Sequence, residues 1–170
     1  YSNGPFFAAL AYETYEDGNS NFGTGAGTNP AAGNNTDNDA VKLGLGYKAN
    51  GFSVGFIYEN IDLDENTNAG LGDQENWLVN ASYAFGNNVV KAQYAEADSP
   101  LANGDYDYWA VGIDHNMSKR TKVYALYTEV DNDAAAAAAL NSGTGTGHQY
   151  GGNVAGSDAD ILSFGMMHNF

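Results

Sequence analysis

A chain of 170 residues is long enough for one domain with a sizeable core. Its formal net charge of −15 argues against a nucleic-acid partner, because phosphate binding needs clustered Lys and Arg. The absence of cysteine excludes a disulfide framework, a thiolate metal site and a cysteine nucleophile. The longest strongly apolar run, residues 134–140, falls far short of the roughly 20 residues a membrane helix needs, so only a barrel could carry this chain across a bilayer.

In chain order, residues 1–4 read as the end of one strand and a turn, punctuated by Asn3-Gly4-Pro5. A first full strand is predicted over about 6–15, with Phe6, Ala8, Leu10 and Tyr12 on its apolar face. A Gly/Asn/Thr-rich loop follows at about 16–39. Residues 41–59 then alternate as two strands: Val41, Leu43, Leu45 and Tyr47 oppose Lys42, Gly44, Gly46 and Lys48, and Phe52, Val54, Phe56 and Tyr58 oppose Ser53, Gly55, Ile57 and Glu59. Between them, Asn50-Gly51 supplies the positive φ angles of a two-residue hairpin turn.

After a loop at about 62–75, a strand over 76–85 carries Trp77, Val79, Ala81, Tyr83 and Phe85 on one face. It turns at Gly86-Asn87-Asn88 into a strand over 89–96 with Val90, Ala92 and Tyr94 outward. A shorter loop covers about 97–105. The next hairpin, 106–130, turns at Ser118-Lys119-Arg120-Thr121. Trp109, Val111, Ile113, His115 and Met117 share one of its faces with Val123, Ala125 and Tyr127. The longest loop, about 131–157, contains an alanine tract with some helical propensity. The last strand, 158–170, aligns Leu162, Phe164, Met166, His168 and Phe170.

Alternation alone does not say whether the apolar face meets a protein core or lipid. Three patterns choose lipid. The eight predicted strands are joined by long and short connections in turn, as in a meander with one elaborated rim. Carboxylates crowd the long loops, whereas Lys48, Lys119, Arg120 and Lys122 flank the short turns. Aromatic residues gather at both strand ends, with small aliphatics between, as in the girdles of a bilayer protein. The prediction is an all-β, antiparallel, up-and-down transmembrane β-barrel segment forming one domain over 1–170.

Tyr1-Ser2-Asn3-Gly4-Pro5-Phe6-Phe7, Gly44-Leu45-Gly46-Tyr47-Lys48, Ser118-Lys119-Arg120-Thr121 with Val123-Tyr124-Ala125, and the closing Gly165-Met166-Met167-His168-Asn169-Phe170 resemble the general diffusion porins of Gram-negative outer membranes. The resemblance covers essentially the whole chain. It implies an integral outer-membrane location, a trimeric sixteen-stranded barrel and a channel. It also implies that Phe164, Met166, His168 and Phe170, with Leu162, form a signal read by the outer-membrane assembly machinery. Eight strands are half that number, and the chain starts inside a turn with no amino-terminal strand to pair with the last one, so a carboxy-terminal half is expected. The many small residues on the polar face support this, since they would underfill a narrow eight-stranded barrel. A self-contained eight-stranded barrel is the other reading.

The expected function is passive diffusion of small hydrophilic solutes and ions, with wall charges setting a preference. Glu13, Lys42, Glu59, Lys91 and Asp114 are the candidate lumen residues, each also able simply to solvate the wall or pair across strands. The acidic rim suggests a cation-preferring pore. The alternative is a non-conducting barrel whose acidic external loops act in surface binding or adhesion. Asp62, Asp64, Asn66 and Asp73 imitate a calcium loop, but Thr67 stands where its glycine belongs. Loosely bound Ca²⁺ or Mg²⁺ between the acidic loops and lipopolysaccharide phosphates is expected rather than an ordered cofactor. The other expected partners are membrane lipid and two further copies of the chain. No catalytic constellation is present, so no enzyme is predicted, and a lipocalin-type carrier is contradicted by Lys42, Lys48 and Lys91 on the polar face.

Overall fold

The computed structural model describes residues 1–15, 38–63, 73–100, 102–136, 140–141, 149–150 and 154–170. The strands are β1 (Ser2–Asn3), β2 (Phe6–Tyr15), β3 (Asn38–Ala49), β4 (Phe52–Leu63), β5 (Gln74–Phe85), β6 (Asn88–Asp98), β7 (Tyr106–Asn116), β8 (Thr121–Asn132), β9 (Leu140–Asn141), β10 (Gln149–Tyr150) and β11 (Ala159–His168). Nine of them form one antiparallel sheet in the order β1-β2-β3-β4-β5-β6-β7-β8-β11, while β9 and β10 pair separately. Each long strand lies beside its sequence neighbours, as an up-and-down meander requires.

The hairpin turns hold this register. Asn50 and Gly51 adopt φ of 53° and 79°, as the Asn-Gly signal predicts. The Gly51 carbonyl accepts a 2.8 Å hydrogen bond from the Ala84 amide, so one turn is locked to the strand beside it. A Cβ at Gly51 would stand 2.8 Å from the Ala84 carbonyl oxygen.

Several strands run beyond their predicted ends. Asp39, Asp62, Glu75 and Asp131 lie within strands, not in loops. Backbone pairing continues past the point where hydrophobic alternation stops, because the ladder needs no apolar side chains. The alanine tract also differs from expectation where it is described. Ala134 and Ala135 form a turn, with the Ala135 amide bonded to the Asn103 carbonyl at 2.7 Å and the Ala136 amide to the Asp133 carbonyl at 2.8 Å. The local turn and the tertiary bond to Asn103 outweigh alanine's modest propensity. Residues 137–139 lie outside the described part.

The two faces differ as the alternation requires. Among the described residues, every buried strand residue (Ala40, Ile61, Ala97, Ala110, Asp114, Thr128 and Val130) belongs to the face that carries Lys42 and Lys91. That face is therefore the enclosed, concave one. The apolar face is open: Leu10 is 76%, Phe164 73% and Met166 67% exposed. Leu43 and Phe56 lie on this same outer surface, opposite Leu10 and Leu45 respectively. Among the described residues the sheet has two free edges: β1 covers only Phe6 and Phe7 of β2, and β11 is paired within the sheet to β8 alone.

Candidate functional site: the polar wall

Strand register brings the predicted wall charges into contact. Lys42 and Glu59 are direct cross-strand neighbours, and their side chains pair at 2.7 Å. Asn76, next along the same rung, donates a 3.3 Å hydrogen bond to Glu59 and accepts one of 3.2 Å from Gln74. Lower on the wall, Lys91 reaches diagonally to Asp114 Oδ1 at 2.8 Å, and Lys122 reaches Asp114 Oδ2 at 3.0 Å. Asp114 is only 8% exposed, so two half-exposed ammonium groups share one sheltered carboxylate. Glu13 stands on the same face opposite Ala40 and is exposed.

The sequence had singled out Lys42, Glu59, Lys91 and Asp114 separately, and the structure joins them as two clusters. Lys122 and Asn76 join the wall beyond those candidates. Parity contained the signal, since Lys122 alternates in phase with Tyr124 and Leu126, which face inward opposite Asp114 and Gly112.

On the outer face, a belt of tyrosines ends the apolar zone at the long-loop side. Tyr12 donates to Asp39 at 2.8 Å, Tyr58 to Glu75 at 3.1 Å, Tyr94 to Asp107 at 2.8 Å and Glu96 at 3.3 Å, and Tyr127 to Glu129 at 2.8 Å. Trp77 packs on Tyr94 and Trp109 on Tyr127, with ring centroids 5.1 Å apart in both pairs. Each ring thus faces the apolar zone while its hydroxyl meets a carboxylate, the amphipathic arrangement expected at a membrane interface. The second belt holds Phe6 against Tyr47 at 5.1 Å and Tyr83 against Phe85 at 5.9 Å. Between the belts, no described outward residue is charged.

Above the tyrosines the acids face one another directly: Asp39 opposes Asp62, Glu75 opposes Asp98, Asp107 lies between Glu96 and Asp131, and Glu129 opposes Asp160. Like charges on one rung repel, and the tyrosine hydroxyls relieve part of that cost. Asp62 belongs to this rim, Asp73 precedes β5, and Asp64 and Asn66 lie outside the described residues. Among the described residues, no group of three or more His, Asp or Glu is placed to hold a metal ion.

Phe164, Met166 and His168 project from the outer face of β11, opposite Ala125, Val123 and Thr121. The His168 ring lies 2.9 Å from the Thr121 hydroxyl and edge-on to Phe170 at 4.8 Å.

A family model described as Gram-negative porin matches residues 1–136. The chain belongs to the Gram-negative porin family. This porin is 28% identical over 135 residues to the major outer membrane protein P.IA of Neisseria meningitidis, a match spanning 71% of this chain and 34% of that protein. Its fold matches the anion-selective porin from Comamonas acidovorans with a TM-score of 0.71 and 25% identity, over 100% of this chain and 47% of the other. The outer-membrane expressed OmpT of Vibrio cholerae is matched at a TM-score of 0.57 and 16% identity, over 96% of this chain and 54% of that one, a likeness of fold alone. The chain thus spans about a third of the length of the curated relatives it matches and about half that of the solved porins. Family and fold make it an integral outer-membrane β-barrel protein.

Proposed function

We propose that the polar wall lines a water-filled channel for passive diffusion of small hydrophilic solutes and ions across the outer membrane. The observation that carries this reading is the division of the sheet. Ion pairs and small residues occupy the concave face, and an uncharged band between two aromatic belts occupies the convex one. A wall of that kind selects by electrostatics and size, without a tight binding site. Single-channel recording of the purified protein in planar bilayers tests it: stable conductance steps are expected. Silence would favour a surface-binding barrel.

The cation preference suggested by sequence draws its support from the acidic rim alone. Two observations pull the other way. The inward strand charges are Lys42, Lys48, Lys91 and Lys122 against Glu13, Glu59 and Asp114, so the excess negative charge is not on the lining itself. The similar Comamonas protein is an anion-selective porin. A reversal potential in a salt gradient decides the sign.

The same proposal includes Ca²⁺ or Mg²⁺ held loosely between the like-charged rungs of the rim and lipopolysaccharide phosphates. It also includes a homotrimer in the membrane and recognition of the Phe164, Met166, His168 and Phe170 pattern by the assembly machinery. The exposure of that pattern on the outer face of an edge strand supports this last step, because an incoming strand or receptor can reach it. Phe170→Ala is expected to lower the folded fraction recovered from outer membranes, with unchanged synthesis.

A further inference from the structure

We infer that the channel is electrically bipolar along its axis and rectifies ion current, with the basic residues of the short-turn end acting as its anion-enriching mouth. This rests on the pore reading above and adds a direction to it.

The chain's charges are sorted by height on the wall. Lys48 ends β3 beside its turn, Lys119 and Arg120 form the β7–β8 turn, and Lys122 and Lys91 lie on the adjoining rungs. Asp114 is the single acidic side chain at that end, and it is already shared by Lys91 at 2.8 Å and Lys122 at 3.0 Å. Lys48, Lys119 and Arg120 are exposed and make no ion pair among the described residues. At the long-loop end the balance reverses. Lys42 is the only Lys or Arg there, it is paired with Glu59, and every other Asp and Glu of the described strands lies in that half, Glu13 on the lining and the rest on the outer face of the rim.

At low salt the field of the acidic rim reaches across the strands, so mobile cations gather near that mouth and mobile anions near the basic one. When the long-loop side is positive, each mouth feeds its abundant ion into the pore, and carriers accumulate. At the opposite polarity each mouth supplies its scarce ion, and the lumen is depleted. The larger current is therefore expected with the long-loop side positive. Screening sets the condition: at about 0.1 M salt the Debye length is roughly 10 Å, comparable with the wall, whereas at about 1 M it is roughly 3 Å.

The test uses the full-length porin inserted singly into planar bilayers. Orientation is read by one-sided block with a bulky thiol reagent at a cysteine placed by Ala102→Cys, an exposed position in the β6–β7 connection. Currents at equal and opposite voltages should differ by a factor above about 1.5 in about 0.1 M salt and become equal in about 1 M salt. Combining Lys48→Glu, Lys119→Glu and Arg120→Glu, all at exposed positions, should abolish the asymmetry while the channel still opens. The salt comparison needs no variant, so it stands if the triple variant assembles poorly. Conducting channels with a ratio near unity in low salt, with the larger current at the opposite polarity, or with a ratio indifferent to the triple variant, would overturn the inference and leave the pore intact. Absence of any conductance would overturn the pore reading itself, and the inference with it.

Discussion

The phenol ring of Tyr124 lies across the backbone of Gly165, its direct cross-strand neighbour on β11, with Cε1, Cζ and Oη filling the space a Cβ would occupy. The ring thus covers the concave side of an edge strand, and the glycine is there because the ring is. Gly165→Ala should displace the end of the half-buried Tyr124 side chain and cost up to about 1 kcal/mol, less than overpacking a closed core. Adding Tyr124→Ser should remove most of that cost. Urea titration of the refolded protein in lipid vesicles measures both, and equal costs for Gly165→Ala in the two backgrounds would count against the contact.

Asp114 predicts non-additive behaviour. Lys91→Met or Lys122→Met alone leaves the sheltered carboxylate one partner, so each should cost under about 1 kcal/mol. Together they leave it with none, and the double variant should lose about 2–3 kcal/mol. A double-mutant cycle on unfolding midpoints reads the coupling, and simple additivity would show that the two lysines act independently.

The tyrosine belt separates ring from hydroxyl. Tyr94→Phe keeps the packing on Trp77 and loses the bonds to Asp107 and Glu96, which should cost about 1 kcal/mol. Tyr94→Ala also removes the aromatic contact and should cost more. Tryptophan fluorescence during unfolding follows both variants. Equal effects would mean that the hydroxyl contributes all of it.

Neighbouring residues on β6 should respond oppositely to the same substitution. Ala92 lies in the outer band between Ala81 and Val111, and Gln93 on the concave face between Asn80 and Ala110. Ala92→Arg places a charge in hydrocarbon at a cost of about 2–4 kcal/mol. Gln93→Arg meets water and should change stability little. Folding yield into vesicles compares them, and similar losses at both positions would reverse the assignment of faces.

Which side of each strand is apolar was legible from residue identities alone, because side chains alternate with period two and one misplaced residue would have broken the pattern. The paired register confirms it even on β8, where Tyr124 and Leu126 competed with Val123 and Ala125 for the outer face. The Asn50-Gly51 turn was equally readable, since few other dipeptides take two positive φ angles cheaply. Strand ends were not. Asp39, Asp62 and Asp131 look like loop residues, yet backbone pairing is indifferent to their charge.

Sequence by itself determined the strand order, the two faces, the aromatic belts and the sorting of acids from bases, all of which depend on spacing along the chain. Only tertiary structure decided which charges meet. Lys42 with Glu59, Lys91 and Lys122 on Asp114, and Tyr94 with Asp107 are contacts between residues 8 to 23 positions apart. They depend on register, which places side chains across a gap that no local pattern encodes.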